Sequence, residues 1–187
     1  MLTVYVLWLA CQVAWTWELH KPVPWQQHCS AACQCMDDGR VVICSHSRLS
    51  RVPSDLPATT KTLDMDDNQL GALRNTSFIG LSNLEVVSVQ HNGIQFLETG
   101  VFLRLSRLRE VRLGGNHLTR LPRNVFRRNR NLQVLDLHGN TFVTLPDVAM
   151  FRQHNLLVLN MSSNHVTSSV LGPAFRFTTQ LTSLDLE

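Results

Sequence analysis

From Thr60 onward, hydrophobic and polar positions repeat every 24 residues. The phrases are TKTLDMDDNQL, LEVVSVQHNGI, LREVRLGGNHL, LQVLDLHGNTF and LLVLNMSSNHV. Each has apolar residues at its fourth, sixth and eleventh places. The first place is Thr60 in the first phrase and leucine in the others. Within a phrase the side chains alternate. Leu63 and Met65, Val87 and Val89, Val111 and Leu113, Leu135 and Leu137, and Leu159 and Met161 point one way, and their neighbours the other. That is the period of a short β-strand. Three-residue spacing follows in Leu70 and Leu73, Ile94 and Leu97, Leu118 and Leu121, and Phe142 and Leu145, which suits a turn winding back. Phe78, Phe102, Phe126, Phe151 and Phe175 come next and are expected to stack as an internal spine. A single unit cannot bury its apolar face alone, so successive units must stack into a solenoid.

The ninth place is always asparagine: Asn68, Asn92, Asn116, Asn140 and Asn164. Each lies just past a strand, where the chain turns inward. A buried amide there must be hydrogen-bonded. The expectation is a structural ladder to backbone groups of the residue's own turn and the next. A period in this range with this pattern is the signature of a leucine-rich-repeat solenoid. The units are 60–83, 84–107, 108–131, 132–155 and 156–180, with a sixth begun at 181–187. The fifth has one extra residue, placed in SVLGPAF, where Gly172 and Pro173 mark a turn. The fold class implied is an α/β-type solenoid, a horseshoe with a curved parallel β-sheet on its concave face and an irregular or short helical outer arc.

With 44% apolar residues the chain can bury a substantial core in one elongated domain. Residues 1–16 are apolar and almost uncharged and read as a secretory signal peptide, and 17–28 as a linker. Cys11 would leave with the signal. Cys29, Cys33, Cys35 and Cys44 remain, an even and clustered set that reads as disulfides in an oxidising compartment. A zinc site with His28 or His46 fits that compartment less well. Spacing alone leaves three pairings open.

The segments CSAACQC and VVICSHSRLSRVPSDLPATTKTLDMDDNQLGAL resemble the N-terminal cap of extracellular leucine-rich-repeat proteins. Such caps occur in Toll-like receptors, lamprey variable lymphocyte receptors, Slit-like guidance proteins and small proteoglycans. The resemblance makes 29–59 a cap shielding the first edge of the sheet, and implies the pairs Cys29–Cys35 and Cys33–Cys44. Among these families the 24-residue units look most like the start of a Toll-like or related receptor ectodomain. The chain stops within a sixth unit, which reads as a fragment of a longer protein. Membrane attachment would then come only from a C-terminal continuation.

The outward strand positions form three columns. The third places are Thr62, Val86, Glu110, Val134, Val158 and Ser183. The fifth are Asp64, Ser88, Arg112, Asp136, Asn160 and Asp185, and the seventh Asp66, Gln90, Gly114, His138, Ser162 and Glu187. This concave face is the expected surface for a protein or glycan ligand. Asp64, Asp66, Val86, Ser88, Gln90, Glu110, Arg112, Val134, Asp136 and His138 are its candidate contacts, and Gln90 is expected to be exposed.

Charge adds a second surface. Residues 101–135 hold nine arginines and one acid. Arg120, Arg123, Arg127, Arg128 and Arg130 form a candidate patch for a polyanion such as glycosaminoglycan. No interleaved exposed aromatics are expected in it, so specific nucleic-acid reading is not indicated. Asn75 and Asn160 begin N-glycosylation sequons, the first on the outer arc and the second on the concave face. His91, His117, His138 and His165 fall near successive strand ends and read as surface residues. Nucleophile elbow, phosphate loop, HExxH and paired-carboxylate motifs do not occur. Asp64, Asp66 and Asp67 alternate along a strand rather than around a calcium loop. The sequence therefore points to non-catalytic extracellular recognition without cofactor or metal. A secreted matrix protein that binds glycosaminoglycan or collagen is the alternative.

Overall fold

The computed structural model describes residues 29–144, 155–166 and 181–186. The proposed signal and linker, Leu145, Phe151, the Gly172–Pro173 turn, Phe175 and Glu187 lie outside the described residues.

The chain coils as a solenoid whose main sheet has eight strands among the described residues. In chain order these are β1 (Gln34–Met36), β2 (Val41–Ile43), β3 (Thr62–Asp64), β5 (Val86–Ser88), β7 (Glu110–Arg112), β8 (Val134–Asp136), β9 (Val158–Asn160) and β10 (Ser183–Asp185). β1 and β2 are antiparallel, and every later neighbour is parallel. The register carries the sequence period directly: Leu63, Val87, Val111, Leu135, Leu159 and Leu184 are aligned across the sheet. The β9–β10 pair keeps this alignment although its partners are 25 residues apart, so the extra residue is absorbed outside the strands.

The inward column is fully buried from Val42 to Leu159, while Leu184 is 39% exposed. Phe78, Phe102 and Phe126 stack with centroids 5.9 and 5.3 Å apart, nearly parallel, and form the spine beneath the outer arc. Burying one such phenylalanine contributes roughly 1.5–3 kcal/mol. Among the described residues the outer arc consists of turns rather than short helices. The flank leaving the main sheet adds a feature that the three-residue spacing did not suggest: β4 (Ala72–Leu73) and β6 (Phe96–Leu97) form a second, two-stranded parallel sheet.

The asparagine ladder runs toward the preceding turn, not the next one. Asn116 Nδ2 donates to Val89 O (3.0 Å) and, within its own turn, to Leu113 O (2.8 Å). Its Oδ1 accepts from Asn92 N (3.1 Å) and Ile94 N (2.9 Å). Asn68, Asn92, Asn140 and Asn164 likewise bridge their own turn to the one before. The direction follows from strand polarity. Val89 N donates forward to Arg112 O. The N–H and C=O of one β residue point to the same side, so the carbonyl of Val89 also faces the following coil and is met from there.

The eighth place has a shared conformation. Asp67, His91, Gly115, Gly139 and Ser163 have φ between 50° and 62°. A left-handed residue swings the chain off the strand and sets the asparagine inside. Its occupants are glycine or small polar residues and histidine, a legible signal of a positive-φ site.

Candidate binding face

The cap is built by the chain's first strands. The structure pairs Cys29 with Cys35 (S–S 2.09 Å) and Cys33 with Cys44 (2.04 Å). Cys44 is buried, and β2 beside it extends the parallel sheet through β3. β1 then closes the edge in antiparallel fashion. The cap thus gives hydrogen-bond partners to a strand edge that would otherwise be open.

The outward columns lie side by side, as the register requires. Val86, Glu110, Val134 and Val158 are consecutive neighbours, as are Ser88, Arg112, Asp136 and Asn160. The valines are half-buried, and Glu110 interrupts their strip. The polar side chains are tied to one another. Asp66 accepts hydrogen bonds from Ser88 Oγ (2.6 Å), Gln90 N (2.7 Å) and Gln90 Nε2 (3.0 Å). Gln90 is therefore half-buried rather than exposed, and Ser88 is buried outright. Asp66 reaches across one coil and draws both inward. Arg112 Nε donates to Glu110 Oε1 at 2.6 Å, pairing the one concave arginine with its own strand. Asp64 accepts Asp66 N, Asp136 accepts His138 N, and Asn160 accepts Ser162 N, three equivalent turns that hold the chain as it leaves the sheet.

A second cluster centres on the glycine pair Gly114–Gly115. His138 covers Gly114 and His91 covers Gly115. A Cβ built on either glycine would lie within 2.2 Å of a ring atom. The rings meet edge to face at 6.3 Å, and His138 Nδ1 lies 2.9 Å from Asp136 Oδ1. His117 and His165 remain apart and exposed. Among the described residues no group of three or more His, Cys, Asp or Glu side chains is arranged to hold a metal.

Along the rim of the sheet, Glu85 meets Lys61 Nζ at 2.9 Å and Arg109 Nε at 4.0 Å. The Lys61 hydrogen bond and the surrounding positive charge hold its carboxyl below the usual range, against the opposing effect of burial.

Arg120, Arg123, Arg127, Arg128 and Arg130 are all exposed. An exposed aromatic from the preceding unit stands near the patch. Phe96 is 50% exposed and shares a cleft with Arg120 and Arg123. Sequence order separates them by a whole unit, and stacking brings them together. Asn75 is exposed, with its backbone N–H bound to Glu98 Oε2 (3.0 Å). Asn160 is half-buried on the concave face, and its Oδ1 accepts from Ser162 Oγ (2.7 Å), the hydroxyl of its own sequon.

Asn129 was not singled out by its sequence. It falls in the column of Leu81 and Leu105, fully buried, and donates to Phe102 O (3.0 Å) and Leu105 O (2.6 Å). Its interruption of a leucine column was the available signal.

The leucine rich repeat model matches residues 58–118, 106–166 and 130–187. Leucine-rich repeat-containing protein 3B of Homo sapiens is 37% identical over 71 residues, 37% of this chain and 27% of the relative. Leucine-rich repeats and immunoglobulin-like domains protein 3 of Mus musculus is 36% identical over 70 residues, 37% of this chain and 6% of the relative. This chain thus spans about a quarter or less of the length of these curated relatives. Among solved structures, human 5T4 (Wnt-activated inhibitory factor 1, trophoblast glycoprotein) superposes with a TM-score of 0.65. Its identity is 26%, over 84% of this chain and 70% of that one. Repeat period, inward leucine column and asparagine ladder agree with the match over 58–187, and the chain belongs to the leucine rich repeat family.

Proposed function

We propose that this chain is the N-terminal recognition part of an extracellular receptor, Toll-like or related, which binds a protein, glycan or microbial ligand non-catalytically on its concave face. The observation that carries this reading is the fixed state of that face. Asp66 holds Ser88 and Gln90, Asp136 holds His138, and Glu110 holds Arg112. Side chains already fixed lose less conformational freedom when a partner docks. Two disulfides support a secreted or cell-surface location, because such bonds persist in oxidising compartments. Display of the chain against a library of secreted and cell-surface ligands tests it. A true ligand should lose at least roughly tenfold in affinity on Val134→Asp or Asp136→Lys, and little on Arg104→Glu. Equal losses at all three positions would overturn the concave assignment.

The exposed arginines favour a second reading, a secreted matrix protein that holds glycosaminoglycan on its outer flank. Heparin retention that is insensitive to salt would remove it.

A further inference from the structure

The second sheet ends for a covalent reason. Between β4 and β6, Glu98 N donates to Leu73 O at 2.8 Å. One unit later the place of Glu98 is taken by Pro122, which has no N–H to offer Leu97. The ladder stops there: among the described residues this sheet contains β4 and β6 alone. Residues 95–97 and Thr99 on one side and residues 119–123 on the other are left as the walls of an open cleft of ≈ 710 Å³; the Glu98 carboxylate is held outside it by Asn75 N.

The chemistry of the walls is specific. Leu97 is turned into the core, so strand alternation turns Phe96 outward, where half of it is exposed. Arg120 and Arg123 stand on the opposite wall, exposed. None of the ion pairs formed among the described residues involves either guanidinium. Gln95, Thr99 and Thr119 complete the lining with neutral donors and acceptors. An apolar ring face, two exposed guanidinium forks and several hydroxyl- or amide-bearing side chains in one cleft match a ligand that has C–H faces, anionic groups and many hydroxyls. An acidic peptide would use the arginines, and its backbone would meet the threonines and the glutamine, but it offers no sugar-ring face to Phe96. A two-residue strand edge is also too short to take up a peptide strand.

The geometry points to this cleft as a binding site for a sulfated sugar unit of a glycosaminoglycan-type chain. The ring of one residue would lie on Phe96, and its sulfates would be forked by Arg120 and Arg123. Arg127 and Arg128 on the adjoining outer arc would add only diffuse attraction. This inference deepens the matrix reading and rests on it; the concave-face reading is independent.

The test is titration of the full secreted chain with a heparin hexasaccharide, its desulfated form and a polyglutamate peptide of matched charge, at about 0.15 M salt. Arg120→Gln/Arg123→Gln should weaken heparin binding roughly tenfold or more. Arg127→Gln/Arg128→Gln should weaken it only about threefold. Phe96→Ser should weaken heparin severalfold, with an unchanged thermal midpoint as the folding control. Equal loss from both arginine pairs, or no loss from Phe96→Ser, would overturn the cleft while leaving diffuse polyanion binding in place. Polyglutamate binding as tight as heparin would replace the sugar with an acidic peptide. Absence of heparin binding by the unaltered chain would remove both the cleft and the matrix reading.

Discussion

His138 lies edge-on to His91, 6.3 Å between ring centroids, across the glycine pair of the intervening repeat. The approach depends on the missing side chains of Gly114 and Gly115. Gly115 also sits at φ +62°, where an L side chain crowds the following carbonyl. Gly115→Ala is expected to cost about 1–2 kcal/mol in urea unfolding and to displace His91. Gly114→Ala should cost less, since only a flexible ring must move, but should shift the His138 resonances by breaking its bond to Asp136. Unchanged spectra for Gly114→Ala would contradict the close approach.

The ladder predicts a graded mutational series. Asn116→Ala strands Val89 O, Asn92 N and Ile94 N in the core and is expected to cost roughly 1–3 kcal/mol. Gln90→Ala loses its side-chain bonds to Asp66 and Ser88 at a half-buried site and should cost less. Chemical denaturation of both variants gives the comparison. A larger loss for Gln90→Ala would reverse the assignment of inside and outside.

Glu85 makes a pH prediction whose sign is fixed. Its folded-state carboxyl is held below its ordinary value, chiefly by the Lys61 hydrogen bond. The stabilisation is therefore present above the unfolded pKa, about 4.3, and is lost as pH falls through the lower folded value. Glu85→Gln should lower the thermal midpoint slightly at neutral pH and flatten its decline below about pH 4. A steeper acid decline in the variant would reject the ion pair as the cause.

In the cap, Cys33→Ser/Cys44→Ser should cost roughly 2–5 kcal/mol. The effect should be local. Amide exchange at Val42 is expected to accelerate while Leu135, several coils away, stays protected, because each coil contacts mainly its neighbours.

Much of this fold was legible because one constraint repeats. An inward leucine column and an asparagine at fixed spacing can be met only by stacked coils, so strand centres such as Leu63, Val111 and Leu135 were identifiable from spacing alone. What remained hidden depends on contacts between units. Asp66 captures Gln90 across one coil, Phe96 shares a cleft with Arg120, and Pro122 ends a sheet through a missing donor one unit away. The direction of the ladder was hidden too, because it follows from which side of the strand the carbonyl of Val89 faces.

The most direct measurement uses a glycan as a wedge. Val134→Asn with Asp136→Thr creates a sequon in the middle of the concave sheet, whereas Arg104→Asn creates one on the outer arc, using Ser106. With both glycans verified by mass spectrometry, affinity for a ligand found by display should be abolished by the concave glycan and retained with the outer one. Retained binding to the concave-glycosylated chain would contradict recognition through this face.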